Sequence, residues 1–170
     1  VKVQYVPITA ENRFKALIDN KIDLLCGATT KTLSRSEWVD FTQLTFVTGA
    51  SLMTLRNNGN GDASGFSGKK IGVVKETTTA ISLKDLLQET STTAQDGMNF
   101  AIDANVFSFE PFAFAVRRND ADFRLAADRA ISDLCRSKKI FEIYDKWVRE
   151  FTGQRLPIFD AMVQLNAIPE

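Results

Sequence analysis

The stretch CGATTKTLSRSEWVDFT, residues 26–42, decides how the rest of the chain is read. A short apolar run, IDLLCG, leads into it, a cluster of threonines follows, and Arg35 closes the cluster. The run reads as a short strand, and Ser34–Val39 as a short helical piece. A strand that ends in small residues at the start of a helix leaves amide N–H groups converging on one point, a recurring anion site. The same residues would also make an ordinary solvated turn with a helix cap. The arrangement occurs again at 75–80, where KIGVVK, a strand by its Ile-Val content, runs into ETTTAISLKDLL with Thr77 or Thr78 as helix cap. Between the two lies TFVTGASLMTL, 45–55, an extended segment able to cross between lobes. Two half-sites joined in this way suggest a cleft that closes on a ligand.

Working outward, VKVQYVP at 1–7 is β-rich and predicts a strand. TAENRFKALIDNK then places Phe14, Leu17 and Ile18 at helical spacing, with Thr9 as N-cap. Four glycines between Gly59 and Gly68 mark a loop. SFEPFAFAVRRND, 108–120, reads as another strand. Two helices close the pattern: one with an apolar stripe of Phe123, Ala127, Ile131 and Leu134, and one with Ile140, Ile143, Tyr144 and Trp147. Both stripes are expected in the core. The alternation of strand and helix predicts an α/β protein with a mostly parallel sheet.

Composition narrows the function. Lys plus Arg equals Asp plus Glu, at 21 each, so no basic excess points to nucleic acid or an anionic membrane surface. The chain has no histidine, which removes Ser-His-Asp and Cys-His catalysis and any histidine-ligated metal. Neither a CxxC pair nor a GxxxxGK[ST] loop is present. No apolar run approaches the roughly 18–20 residues that a membrane helix needs. Cys26 and Cys135 are expected to be two buried thiols. The chain opens on Val1 rather than on Met and a basic region, so its N-terminus is expected to be processed or truncated.

At this point the residues resemble a known family. PITAENRFKALIDNKIDLLCGATTKTLSRSEWVDFTQLTFVTGASLMTL is similar to the polar amino-acid-binding group of periplasmic solute-binding proteins, the receptors of ABC importers (bacterial extracellular solute-binding proteins, family 3). KIGVVKETTTAISL, FEPFAFAVRRND and AISDLCRSKKIFEIYDKWV match later family segments in the right order, and GATTKTLSR, VDF and IYDKW are the most specific pieces. The resemblance covers most of residues 1–152, and its pattern is nearest to glutamate/aspartate-type binders.

The resemblance implies an α/β, two-lobed periplasmic-binding-protein fold of type II, incomplete at the N-terminus and within lobe 2. Residues 1–46 and 115–170 would form lobe 1 and 50–109 lobe 2, with hinge crossings at 47–49 and 110–114. The ligand, a polar amino acid, would be clamped between the lobes. Arg35 would hold its α-carboxylate through the planar guanidinium fork, which lysine cannot copy. Thr30 would donate to the same group, and Thr78 with Thr77 and their helix N-terminus would cap it from lobe 2. The backbone at Ala28 and Thr29 would accept from the α-amino group. Arg13, in ENR, would face a side-chain carboxylate if the ligand is acidic, and solvent otherwise. The resemblance further implies a periplasmic monomer that delivers its ligand to an inner-membrane ABC permease, with no cofactor, no metal and no nucleic-acid partner.

Three departures from the family stand out. A leading strand and helix that contribute to the pocket are missing. Glu76 stands where the family has glycine before the threonine pair, and a carboxylate there would repel an anionic ligand unless it points outward. Between Thr90 and Phe107 the chain is some tens of residues short, and the aspartate that normally receives the ligand ammonium has no counterpart, since Asp103 is out of register. Either the sequence joins pieces of a longer protein, or it is a shortened variant. Two other functions stay open: a ligand-sensing domain of a larger receptor, and a cyclohexadienyl dehydratase-like enzyme with Glu76 as its acid–base group.

Overall fold

The structure is a computed structural model that describes residues 2–53, 70–89 and 107–169. The glycine-rich loop at 59–68, the extended segment beyond Met53 and Asp103 lie outside the described residues. The elements run α1 (Arg13–Ile18), β1 (Leu24–Leu25), a 3-10 turn (Arg35–Glu37), β2 (Val39–Thr48), α2 (Thr78–Glu89), β3 (Glu110–Arg117), α3 (Ala121–Arg136), α4 (Lys139–Trp147), α5 (Arg149–Thr152) and α6 (Pro157–Asn166). The chain divides into two compact units: Val1–Ile8, Asn12–Val47 and Pro111–Glu170 form the first, Thr9–Glu11 and Thr48–Glu110 the second.

The first unit is built on a three-stranded sheet of order β1-β3-β2. β3 is central because its sequence allows it: Ala113, Ala115 and Val116 are fully buried, small or β-branched, and fit between flanking layers. β1 pairs with β3 antiparallel, Leu24 opposite Val116 and Leu25 opposite Ala115. That register corrects the expectation of a mostly parallel sheet for this pair. The chain returns to β3 after a long excursion, so strand–helix alternation in sequence does not by itself fix the direction of pairing.

One apolar cluster joins α1 to the sheet through Leu17, Leu25, Val39, Phe41, Ala113 and Ala115. A second gathers Val47, Ile131, Cys135, Tyr144, Phe159, Met162 and Val163 from β2 and the C-terminal helices. Tyr144 and Phe159 sit with ring centroids 4.4 Å apart, and Phe46 lies 5.6 Å from Phe159. Burying a side chain such as Phe159 contributes about 1.5–3 kcal/mol. Phe159 belongs to α6, which sequence periodicity did not predict; Pro157 at its N-terminus supplies the start signal. α3 begins at Asp120, whose carboxylate accepts from the Phe123 N–H at 3.3 Å, an N-cap. Buried Ser132 exchanges hydrogen bonds with Gln43, whose backbone N–H donates to Asp128 at 2.7 Å, so polar groups as well as apolar ones tie β2 to α3.

Several expectations are corrected. Residues 2–9 form no strand and are mostly exposed, Tyr5 to 90%; β-rich composition makes a strand only where a neighbour pairs its N–H and C=O groups. The first helix is confined to Arg13–Ile18, preceded by Asn12 rather than Thr9. Of the two helical stripes, Ile131 and Tyr144 are buried whereas Phe123, Ile143 and Trp147 are exposed, Trp147 to 65%; Cys135, outside the stripe, is buried in their place. Cys135 is buried as expected, but Cys26 is exposed, and both are free thiols.

The second unit has its own small core of Leu52, Ile71, Leu83 and Leu87, with Val73, Leu86 and Phe107 packed against it. KIGVVK, expected as a buried strand, carries no strand pairing, and only Ile71 of it is buried. The Phe107 N–H donates to the Ala50 carbonyl at 2.8 Å, and the Ala50 N–H to the Ser108 hydroxyl at 3.0 Å. Among the described residues no helix is long and apolar enough to cross a membrane, and no group of three acidic or cysteine side chains is placed to hold a metal ion.

Candidate functional site

The threonine cluster is a folded turn. The Thr32 hydroxyl accepts from the Arg35 backbone N–H at 3.2 Å, and the Thr32 carbonyl accepts from the Ser36 N–H at 3.0 Å and the Ser36 hydroxyl at 2.9 Å. These bonds wind the chain into the 3-10 turn that presents Arg35. Arg118 fastens the far end by donating to the Ser36 and Glu37 carbonyls. Upstream, Thr29 and Thr30 are buried against the start of β3. The Thr29 carbonyl accepts from the Ala113 N–H at 3.1 Å, the Lys31 N–H donates to the Pro111 carbonyl at 2.8 Å, and Thr30 bridges to Phe112.

Two arginines meet at this turn. Arg35 donates from Nη1 to the Thr30 carbonyl at 2.8 Å, which aims a long side chain back along the cluster. Arg13, at the first residue of α1, donates from Nη1 to the Ala28 carbonyl at 3.3 Å and stands 3.5 Å from the Thr29 hydroxyl. Their guanidinium carbons lie 5.2 and 5.1 Å from the centroid of one ring, that of Phe14. Arg13, Ala28, Thr29, Thr30 and Arg35 are therefore brought together within the first unit.

Arg13 is electrostatically unusual. Burial pushes its guanidinium below the ordinary arginine value, and no carboxylate among the described residues acts in the opposite direction. Its Nε is buried and has no hydrogen-bond partner among the described residues. Removing a cation from water costs free energy unless a counter-charge compensates it. The contacts just described supply a carbonyl, a hydroxyl and a ring face. Chemically this is a positively charged recess lined by neutral groups.

In the second unit, α2 starts at the other threonine cluster. Thr77 is its cap: its hydroxyl accepts from the Ala80 N–H at 3.1 Å and donates to the Val74 carbonyl at 2.7 Å. Thr78 donates its hydroxyl proton to Glu110 Oε2 at 2.6 Å, while Ser108 donates to Oε1 at 3.0 Å. Glu110 is only 3% exposed, so these hydroxyls stand in for water around a buried carboxyl. A hydroxyl has one proton, and in both threonines it is already given to a group of the chain. Glu76 is exposed and adopts a left-handed φ of 58°. That conformation suits glycine, the residue the family pattern has there.

Two participants were not singled out from sequence. Phe14 falls at helical spacing with Leu17 and Ile18, and nothing in NRF marks a ring shared by two cations. Glu110 had a signal: one acidic residue inside the apolar run from Phe107 to Val116, where a charge needs a partner.

The comparisons agree with the motif reading. Residues 1–150 match the family described as bacterial extracellular solute-binding proteins, family 3. An L-glutamate/L-aspartate-binding protein from Pseudomonas aeruginosa is 26% identical over 184 residues, covering 86% of this chain and 61% of that protein. A glutamate/aspartate import solute-binding protein from Salmonella typhimurium is 25% identical, covering 88% and 62%. The chain thus spans about three fifths of the length of these relatives. Among solved structures, an ancestral arginine-binding protein bound to arginine superposes with a TM-score of 0.76 at 21% identity, covering 87% of this chain and 81% of that one. This likeness gives the fold, a type II periplasmic-binding-protein architecture. By its match over residues 1–150, the chain belongs to the bacterial extracellular solute-binding proteins of family 3.

Proposed function

We propose that this chain is the substrate-binding component of an amino-acid ABC importer and that its ligand is acidic. The observation that carries the acidic preference is Arg13: a half-buried guanidinium with a partnerless Nε, sharing the Phe14 ring with Arg35. Arg35 would pair with the ligand α-carboxylate and Arg13 with the side-chain carboxylate. Each such charge-assisted bond contributes roughly 1.5–3 kcal/mol. Thr30 would donate to the α-carboxylate, and the Ala28 and Thr29 carbonyls, which keep a second lone pair each, would accept from the α-amino group. The second unit would add the α2 N-terminus at Thr77 and Thr78, through backbone N–H groups and the helix dipole rather than through hydroxyl protons.

The glutamate- and aspartate-binding relatives support this reading. In it the ligand is clamped by lobes joined at 47–49 and 110–114, and the loaded protein, a periplasmic monomer, hands it to a permease in the inner membrane. The role is binding without chemistry and without a cofactor. Glu76, the acid–base group of a dehydratase reading, is exposed rather than held in a pocket. A thermal-shift screen against the twenty amino acids tests the proposal, because a ligand that binds only the folded state raises the melting temperature by mass action. The largest rise is expected with L-glutamate or L-aspartate; no rise with any of the twenty contradicts it.

A further inference from the structure

Phe14 stands at helical spacing with Leu17 and Ile18. It does pack, partly buried, against the cluster around Leu17 and Leu25. Its ring also lies 5.1 Å from the Arg13 guanidinium carbon and 5.2 Å from that of Arg35. The two cations reach it from different elements, Arg13 from the start of α1 and Arg35 from the 3-10 turn.

We propose that Phe14 is a positioning residue for acidic-ligand recognition: its ring holds the two guanidinium groups at a fixed spacing, so that two carboxylates of one ligand are read together. This inference rests on the binding function proposed above. An aromatic face carries negative charge density and attracts a cation within about 6 Å, more strongly where water is excluded. Two guanidinium groups near one another repel, and a ring attractive to both offsets that repulsion before any ligand arrives. Arg13 needs such help more than Arg35 does. Its described hydrogen bonds are long, at 3.3 and 3.5 Å, whereas Arg35 has a 2.8 Å bond to Thr30. A leucine in place of Phe14 would keep much of the apolar contact with the core and lose the attraction. Arg13 would then be the group released, and discrimination by side-chain charge would go with it.

The test compares L-glutamate with L-glutamine, which share the α-carboxylate and differ at the side-chain end. Affinities of the whole chain are measured by calorimetry for wild type, Phe14→Leu and Phe14→Tyr. Phe14→Leu is expected to lower the glutamate-to-glutamine affinity ratio by about tenfold, the loss falling on glutamate. Phe14→Tyr, which keeps the ring, is expected to hold the ratio near wild type. A purely structural role for Phe14 would weaken both ligands alike and leave the ratio unchanged; that result overturns the inference, as does a Phe14→Tyr ratio as low as that of Phe14→Leu. Wild type that binds neither of these nor L-aspartate overturns the acidic-ligand reading itself and this inference with it. If Phe14→Leu does not fold, Phe14→Met makes the same comparison with another apolar side chain lacking the ring.

Discussion

Replacing Thr78 with valine keeps the shape of the side chain and removes one hydroxyl. That hydroxyl donates at 2.6 Å to Glu110, a carboxyl that is 3% exposed and has Ser108 on its other oxygen. A hydrogen bond to a charged group contributes about 1.5–3 kcal/mol, and removing the donor leaves a buried oxygen short of one bond. Thr78 itself is only partly buried, so water can recover some of the loss. The expected destabilisation is about 2 kcal/mol. Threonine and valine have similar helix propensities, so the helix itself adds little. Urea unfolding followed by circular dichroism reads the effect: with a slope of about 2 kcal/mol per molar, the midpoint should fall by about 1 M. Glu110→Gln measured in the same background closes a double-mutant cycle, in which the pair should show a coupling of about 0.5–3 kcal/mol. A Thr78→Val protein within about 0.5 kcal/mol of wild type would refute the argument that this hydroxyl is committed to Glu110.

Glu76→Gly should stabilise the chain by about 0.5 kcal/mol. Relief of a left-handed side chain gives about 1 kcal/mol, partly offset by losing a negative charge near the α2 N-terminus; a loss of stability in the same urea assay would show that Glu76 makes a contact worth more than its strain. A thiol reagent should modify Cys26 quickly and Cys135 only after unfolding, because Cys135 is buried and burial raises its pKa, keeping it protonated at mildly alkaline pH. Equal rates for the two thiols in the folded protein would contradict the placement of Cys135.

What was legible in the sequence was local. The threonine cluster at 27–35 marks a turn in the sequence, but its chemistry alone leaves a solvated, capped turn equally open; it is the family resemblance that singles out Arg13, Ala28, Thr29, Thr30 and Arg35, and these do converge there. Helices α3 and α4 could be read because their apolar residues recur at helical spacing, although that spacing did not say which would be covered: Trp147 carries the signal and stays exposed. Pairing was not legible. The direction of β1 against β3 and the failure of residues 2–7 and of KIGVVK to become strands depend on neighbours distant in sequence. Thr77 and Thr78 show the same limit within the site. Their position at the start of α2 was correctly anticipated, but the partners of their hydroxyl protons, Val74 and Glu110, emerge only from the fold.

The most direct test of the account is the affinity of wild type, Arg35→Ala and Arg35→Lys for L-glutamate, measured by calorimetry on proteins with matching circular dichroism. If Arg35 holds the α-carboxylate by its planar fork, Arg35→Ala should cost about 2–5 kcal/mol of binding free energy, at least about thirtyfold in Kd. Arg35→Lys should remain well short of wild type despite keeping the charge. Equal Kd values for all three proteins would remove Arg35 from the site and contradict the account.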